Sequence, residues 1–269
     1  MNHQIANEKL TLTVSTLGAE VQAVSVSDGH PLGCIWSGDP AAWGRRAPVC
    51  VPWCGRMDGG YFEAEGRQFQ AGIHGFTRDL EHTLVEQGRD FLRFHLDVPA
   101  DEIRWPWGFS LDTEHWLQGN ELITTMTLQN LSQGQMPTQM GYHTALRCPF
   151  EPGKVPTDYV FRFEQNEAPD GTDLFPVTDD MFDDDSMCFE GLKSRWIQIE
   201  DKKTGQYLRV STENYPYVLL WSQPKIPGFV CIEPWTGYPG PGHDLAQRPG
   251  TKLLAPGERM TIIQHITVA

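Results

Sequence analysis

Three stretches of the chain set ionisable side chains among residues that restrict the backbone or offer flat apolar surfaces. The first runs Pro52-Trp53-Cys54-Gly55-Arg56 and is followed by Ile73-His74-Gly75-Phe76-Thr77-Arg78-Asp79. The second is Gly141-Tyr142-His143-Thr144, and the third is Cys231-Ile232-Glu233-Pro234-Trp235-Thr236-Gly237. An imidazole and a carboxylate brought to one place can deliver one proton while removing another. Such general acid–base chemistry is worth about 10²- to 10⁴-fold for each group. His74, His143 and Glu233 together would also be a two-histidine, one-carboxylate metal set. No His-x-His or His-x-x-x-His spacing prepares such a site, so this reading ranks below the first. Each residue has a plainer reading beside the chemical one. A histidine next to glycine is most often a satisfied structural or surface group, Glu233 could be a strand-end ion-pair partner, and Arg56 could pair with Asp58 or Glu63.

The elements that would position these groups read as strands. Residues 91–98 alternate, with Leu92, Phe94, Leu96 and Val98 on one side and Arg93, His95 and Asp97 on the other. That period of two belongs to a half-buried strand. Residues 122–128, rich in Thr, follow a Gly119-Asn120 turn. Residues 196–200 and 206–210 flank a short Gly-containing loop and predict a hairpin. Further strands are expected at 10–14, 20–26, 109–117, 159–164, 217–221, 229–233 and 259–268. In the stretch 229–233, Phe229, Cys231 and Glu233 share a face, with Val230 and Ile232 on the other. An acid ending an apolar strand before Pro234 predicts a group at a sheet edge or mouth. Trp235 beside it could supply a flat apolar surface for a ligand. His82, His95 and His115 lie in alternating polar positions or beside charges and are expected on the surface. His243, in the Gly/Pro-rich loop after Trp235, could reach the same pocket as part of a lid.

Twenty prolines and 26 glycines spread along the 269 residues leave little room for long helices. No composition break, repeat or linker divides the chain, and the acidic run 179–185 is its one biased tract. The expectation is an all-β fold, a single large antiparallel β-sandwich spanning residues 1–269. A hydrophobic fraction of 39% suffices for a sizeable core. A formal charge of −14 makes nucleic acid and anionic membrane poor partners. No apolar run approaches the ~20 residues that cross a bilayer, and no secretory signal opens the sequence. The six cysteines are irregularly spaced and form no Cys-x-x-Cys pair, so reduced thiols in a cytoplasm are expected.

The motifs in order, Gly-Arg, His-Gly-Phe-x-Arg, Gly-Tyr-His and Ile-Glu-Pro-Trp, resemble the aldose 1-epimerase family, and its shorter bacterial branch in particular. The resemblance implies a galactose mutarotase-like supersandwich. It implies an isomerase that opens and recloses the ring of a free aldose, with no metal or organic cofactor. By the same resemblance His143 is the acid at the ring oxygen, Glu233 the base at the anomeric hydroxyl, and His74 a second active-site histidine. Arg56 would bind substrate, Arg78 and Trp235 would line the pocket, and Asp185 would bind sugar hydroxyls in competition with Asp183 and Asp184. Two alternatives stay open: a carbohydrate-binding protein without chemistry, and a mutarotase for a C6-phosphorylated or otherwise anionic sugar held by Arg56 and Arg78. A neutral hexose is the default, and the oligomeric state is not readable.

Overall fold

The computed structural model describes residues 1–27, 33–101 and 103–269. Among them the longest ladder is a nine-stranded sheet. Its spatial order is Leu174–Pro176, Tyr159–Phe163, Trp196–Asp201, Tyr207–Ser211, Arg259–Val268, Glu121–Asn130, Phe109–Gln118, Phe91–Val98 and Thr83–Gln87. Facing it is a six-stranded sheet ordered Met187–Glu190, Tyr217–Trp221, Phe229–Trp235, Gly141–Tyr142 and Val49–Cys50. Its sixth strand, Thr144–Arg147, also pairs with Phe229–Trp235, on the far side of a break at His143. Asn2–Ala6, Leu10–Ser15 and Val21–Val26 form a three-stranded sheet. All the ladders are antiparallel, and the helices among the described residues are single 3₁₀ turns. The molecule is the all-β, antiparallel architecture that the alternating patterns predict.

Those patterns set the core. In Phe91–Val98 the residues Leu92, Phe94, Leu96 and Val98 are buried, while Arg93 turns outward to Glu114 at 2.8 Å. In Glu121–Asn130 every second residue, from Leu122 to Asn130, is buried. Leu122, Met126 and Leu128 join Val230 and Ile232 of the facing sheet in one apolar cluster. Each such side chain contributes about 1.5–3 kcal/mol relative to exposure. Polar bonds tie the layers as well. The Tyr142 hydroxyl donates toward the carbonyls of Thr124 (2.8 Å) and Ile262 (3.0 Å), and Thr144 Oγ1 donates to Gln264 Oε1 at 2.9 Å. The predicted hairpin closes where Asp201 Oδ1 accepts from the amides of Lys203 and Thr204, with Gly205 at φ +76°.

Two expectations are corrected. His82 and His115 are buried rather than on the surface. His115 has the parity of Phe109, Leu111 and Leu117, so the pleat carries it inward, where Thr124 Oγ1 (3.0 Å) and the Ala19 carbonyl (3.1 Å) satisfy both ring nitrogens. The His82 Nε2 lies 3.0 Å from the Thr77 carbonyl oxygen. His95 is half-buried between Asp112 and Asp97, as a surface ion pair would be. The second correction concerns Glu233, expected at a sheet edge or mouth: its strand is central in its sheet, and of the two alternatives only the opening remains, since the residue lines a cleft.

Candidate active site

Pro234 sits inside a central strand because its partner is interrupted there. Thr236 donates its amide to Met140 O at 2.9 Å, so the even residues of Phe229–Trp235 point their amides toward Gly141–Tyr142 and Thr144–Arg147. Pro234 has no N–H to give, and it falls opposite the break between those two strands. The Tyr142 carbonyl accepts instead from the Trp235 indole N–H at 3.2 Å. Gly141 permits this closeness: a Cβ there would stand 2.4 Å from Trp235 Cδ1. With Tyr142 and Thr144 bonded to the nine-stranded sheet, His143 is turned to the opposite face, where Glu233 also points.

His143 Nε2 lies 3.4 Å from Glu233 Oε2, and both side chains are almost fully buried. The His143 ring is stacked on Trp43 (centroids 4.9 Å, 27°) and meets the edge of Trp221 (5.3 Å, 82°). His143 Nδ1 and Glu233 Oε2 are buried without a hydrogen-bond partner among the described residues. Burial pushes the His143 imidazole down to about 3, helped by the positive charges of Arg78 and Arg45. Burial pushes the Glu233 carboxyl well above its ordinary range, as do Cys50 and Asp185. Desolvation thus favours the neutral form of each group, while their 3.4 Å contact favours the ion pair. Both forms hold one proton between the two residues.

His74 stands beside them, its ring 5.0 Å from that of His143 and perpendicular to it, and 5.2 Å from Trp235. It is held at φ +61°, followed by Gly75 at +71°, where a Cβ would collide with the Val51 carbonyl at 1.9 Å. The Gly55 amide donates to His74 Nδ1 at 3.0 Å, and Cys50 Sγ lies 3.3 Å from the same nitrogen. An amide can only donate, so Nδ1 accepts and the neutral ring carries its proton on Nε2. Burial keeps it neutral, with His143 and Arg78 adding to the effect.

These three groups line a cleft of about 490 Å³ together with Trp221, Trp235 and Tyr238, within the ~300–1,000 Å³ of small-molecule sites. Other hollows are as large or larger; what distinguishes this one is the convergence of imidazole and carboxylate. Arg56 lines it too, exposed and with no ion pair to Asp58, Glu63 or any other described carboxylate. Of the three competing aspartates, Asp183 and Asp185 line the cleft and Asp184 does not; Asp185 has φ +87°. Arg78 is not part of the lining. It lies half-buried behind it, 3.8 Å from Asp79, and acts on the two histidines through its charge. His243 does not reach the cleft either. It stacks on Tyr61 at 3.8 Å, and its loop contributes Tyr238 and Pro239 instead.

Several participants escaped the motifs. Trp43 and Trp221 flank His143 from segments whose relation to it is purely spatial. Gln139 accepts the Cys54 amide (3.1 Å) and donates to the Tyr238 carbonyl (3.3 Å), joining the first motif to the third. Arg248 braces the first motif from a distant loop. The grouping of metal-type donors also differs from the one considered above. Cys231, not His74, completes it, with ligand atoms of His143, Cys231 and Glu233 within 4.8 Å of one another. Burial holds the Cys231 thiol protonated, which opposes its use as a ligand.

The sequence model of the aldose 1-epimerase family matches residues 1–267. The chain is 29% identical over 265 residues to Protein LacX (chromosomal) of Lactococcus lactis subsp. lactis, covering 88% of each chain. Among solved structures it resembles a galactose mutarotase related enzyme from Lactobacillus acidophilus, at 26% identity and TM-score 0.92 over 100% of this chain and 97% of that one. A galactose mutarotase-like protein from Lactobacillus casei superposes with TM-score 0.91 over the full length of both at 19% identity, a likeness of fold.

Proposed function

The chain belongs to the aldose 1-epimerase family, and from that premise we propose that it interconverts the α and β anomers of a free aldose, with His143 and Glu233 exchanging the protons. The supporting observation is the buried His143–Glu233 contact of 3.4 Å at the floor of a cleft walled by tryptophan. In the ion-paired form, Glu233 takes the proton of the anomeric hydroxyl as His143 protonates the ring oxygen. The C1–O5 bond breaks and the C1 carbonyl forms. Rotation about C1–C2 presents the other face, and the reverse transfers close the ring. No atom is gained or lost over the cycle.

Burial assists the opening step. The transfers convert a charged pair into neutral imidazole and carboxylic acid, the state that desolvation favours. The free pair regains its charged form when one proton crosses between the two groups. His74, with its proton on Nε2, donates to a substrate oxygen, and Arg56, Asp183 and Asp185 bind hydroxyls at the rim. Trp221 and Trp235 offer faces for the C–H surface of the ring.

The test is anomer-exchange NMR on a panel of neutral and 6-phosphorylated aldoses. The wild-type protein is expected to accelerate exchange for at least one aldose. H143A and E233Q are each expected to lose about 10²- to 10⁴-fold. Sugar binding without acceleration would make the chain a carbohydrate-binding protein. Enzyme-dependent exchange that survives both substitutions would overturn the residue assignment.

A further inference from the structure

Arg248 is 4% exposed, and no carboxylate lies within ion-pair distance of it among the described residues. A buried cation without an ion-pair partner is costly, and Asp58 offsets that cost only from beyond ion-pair distance. The hydrogen bonds of Arg248 go to one loop. Nη2 donates to the Cys54 carbonyl at 2.7 Å and to the Arg56 carbonyl at 3.2 Å, and Nη1 lies 2.8 Å from Met57 Sδ. The guanidinium therefore embraces the main chain of the segment that carries Gly55 and Arg56.

The Cys54 carbonyl and the Gly55 amide belong to one peptide group. That group is planar, and in its trans form the C=O and N–H point in opposite directions. A donor that fixes the oxygen consequently fixes the direction of the N–H. The Gly55 N–H is the one that reaches His74 Nδ1 at 3.0 Å. The neighbouring bonds remove the remaining freedom: Gln139 Oε1 accepts the Cys54 amide at 3.1 Å, and the His74 amide donates back to the Gly55 carbonyl at 2.9 Å. Gly55 adopts φ +71° and packs so closely on Pro239 that a Cβ would lie 2.2 Å from its Cγ. Charge on the guanidinium also polarises the peptide, strengthening the bond its N–H makes beyond.

We propose that Arg248 is a positioning residue for the epimerase site, acting through the single Cys54–Gly55 peptide group to hold His74 as the tautomer that presents an Nε2 proton to substrate. The catalytic consequence rests on the mutarotase reading, but the tautomer itself does not. Without the guanidinium the Cys54 carbonyl keeps no donor, and the flanking bonds of Gln139 and His74, which end on neighbouring groups, hold the peptide plane less firmly. His74 Nδ1 then loses its amide donor and the ring samples both tautomers.

The experiment is ¹⁵N NMR of the imidazole nitrogens in the intact protein, alongside anomer-exchange kinetics, for wild type, R248M and R248K. Wild type is expected to show a pyridine-type Nδ1 and a pyrrole-type Nε2 for His74. R248M is expected to move both resonances toward averaged values and to lower kcat by about 10- to 100-fold, the scale of a small misplacement in a site, with KM changing less. R248K keeps the charge but has one ammonium for carbonyls that the fork spans, and should fall between. A folded R248M with the wild-type His74 pattern overturns the relay. If R248M does not fold, wild-type His74 resonances together with wild-type kcat in R248K do the same. A wild-type protein with the expected tautomer but no anomer exchange would sink the mutarotase reading and leave the relay standing.

Discussion

At the scale of the residue, the decisive feature is one proton shared by two buried groups. Burial pushes His143 down to about 3 and Glu233 well above the ordinary carboxylate range, so the pair takes up a second proton only far below neutral pH. Its titration steps belong to the pair and not to either member. The expected consequence is a kcat/KM for anomer exchange with no acid limb near the ordinary histidine pKa of about 6.5, measured by exchange kinetics at constant ionic strength. A bell centred near an ordinary histidine pKa would contradict it. His115 gives a pH effect of another kind. Its buried ring is lowered to about 4, against 6.5 when free. The unfolded chain therefore binds this proton more readily, so the associated stability is full above about pH 6.5 and is lost as pH falls toward 4. The loss is on the order of 3 kcal/mol at about 1.4 kcal/mol per unit. H115Q, which keeps polar contacts but cannot titrate, should show a shallower fall in Tm over that interval.

At the scale of the element, the site depends on an interruption in a ladder. Strand Phe229–Trp235 faces the core with Val230 and Ile232 and the cleft with Glu233 and Trp235, and this division was legible from alternation alone. Its central place was not. Pro234 suggested an edge because a proline cannot donate within a ladder, and the compensating break at His143 lies about ninety positions away in the chain. Gly141 pairs with Trp235 and packs directly against its ring. G141A forces a methyl against Trp235 Cδ1 and strips the Tyr142 carbonyl of its indole donor. It should cost about 1–3 kcal/mol of stability, read by thermal melting, and lower kcat/KM by displacing Trp235. A variant with wild-type melting and kinetics would mean that the break tolerates repacking. The same limit of local reasoning explains His82 and His115. Their neighbours in sequence are polar or charged, but what decides burial is the side of the pleat they occupy and what packs there.

At the scale of the whole molecule, a chain of formal charge −14 holds a cleft lined by Arg56, Asp183 and Asp185. Such a field acts on ligands according to their charge. For a neutral aldose, kcat/KM should be indifferent to ionic strength between about 0.01 and 0.15 M. For a 6-phosphorylated aldose it should rise with salt, as long-range repulsion is screened; a fall would show that Arg56 dominates. Sequence by itself determined the all-β character, the positions of the long strands, the faces they present, and the small set of acid, base and cationic groups able to act. Those properties follow from side-chain period and residue type, which are local. Tertiary structure alone decided that His143 meets Glu233 between Trp43 and Trp221, that Arg78 stands behind the cleft, and that Arg248 grips the loop whose Gly55 amide bonds His74. Such contacts join residues up to about two hundred positions apart, and their geometry is fixed by how two sheets stack, a property that no short stretch of chain contains.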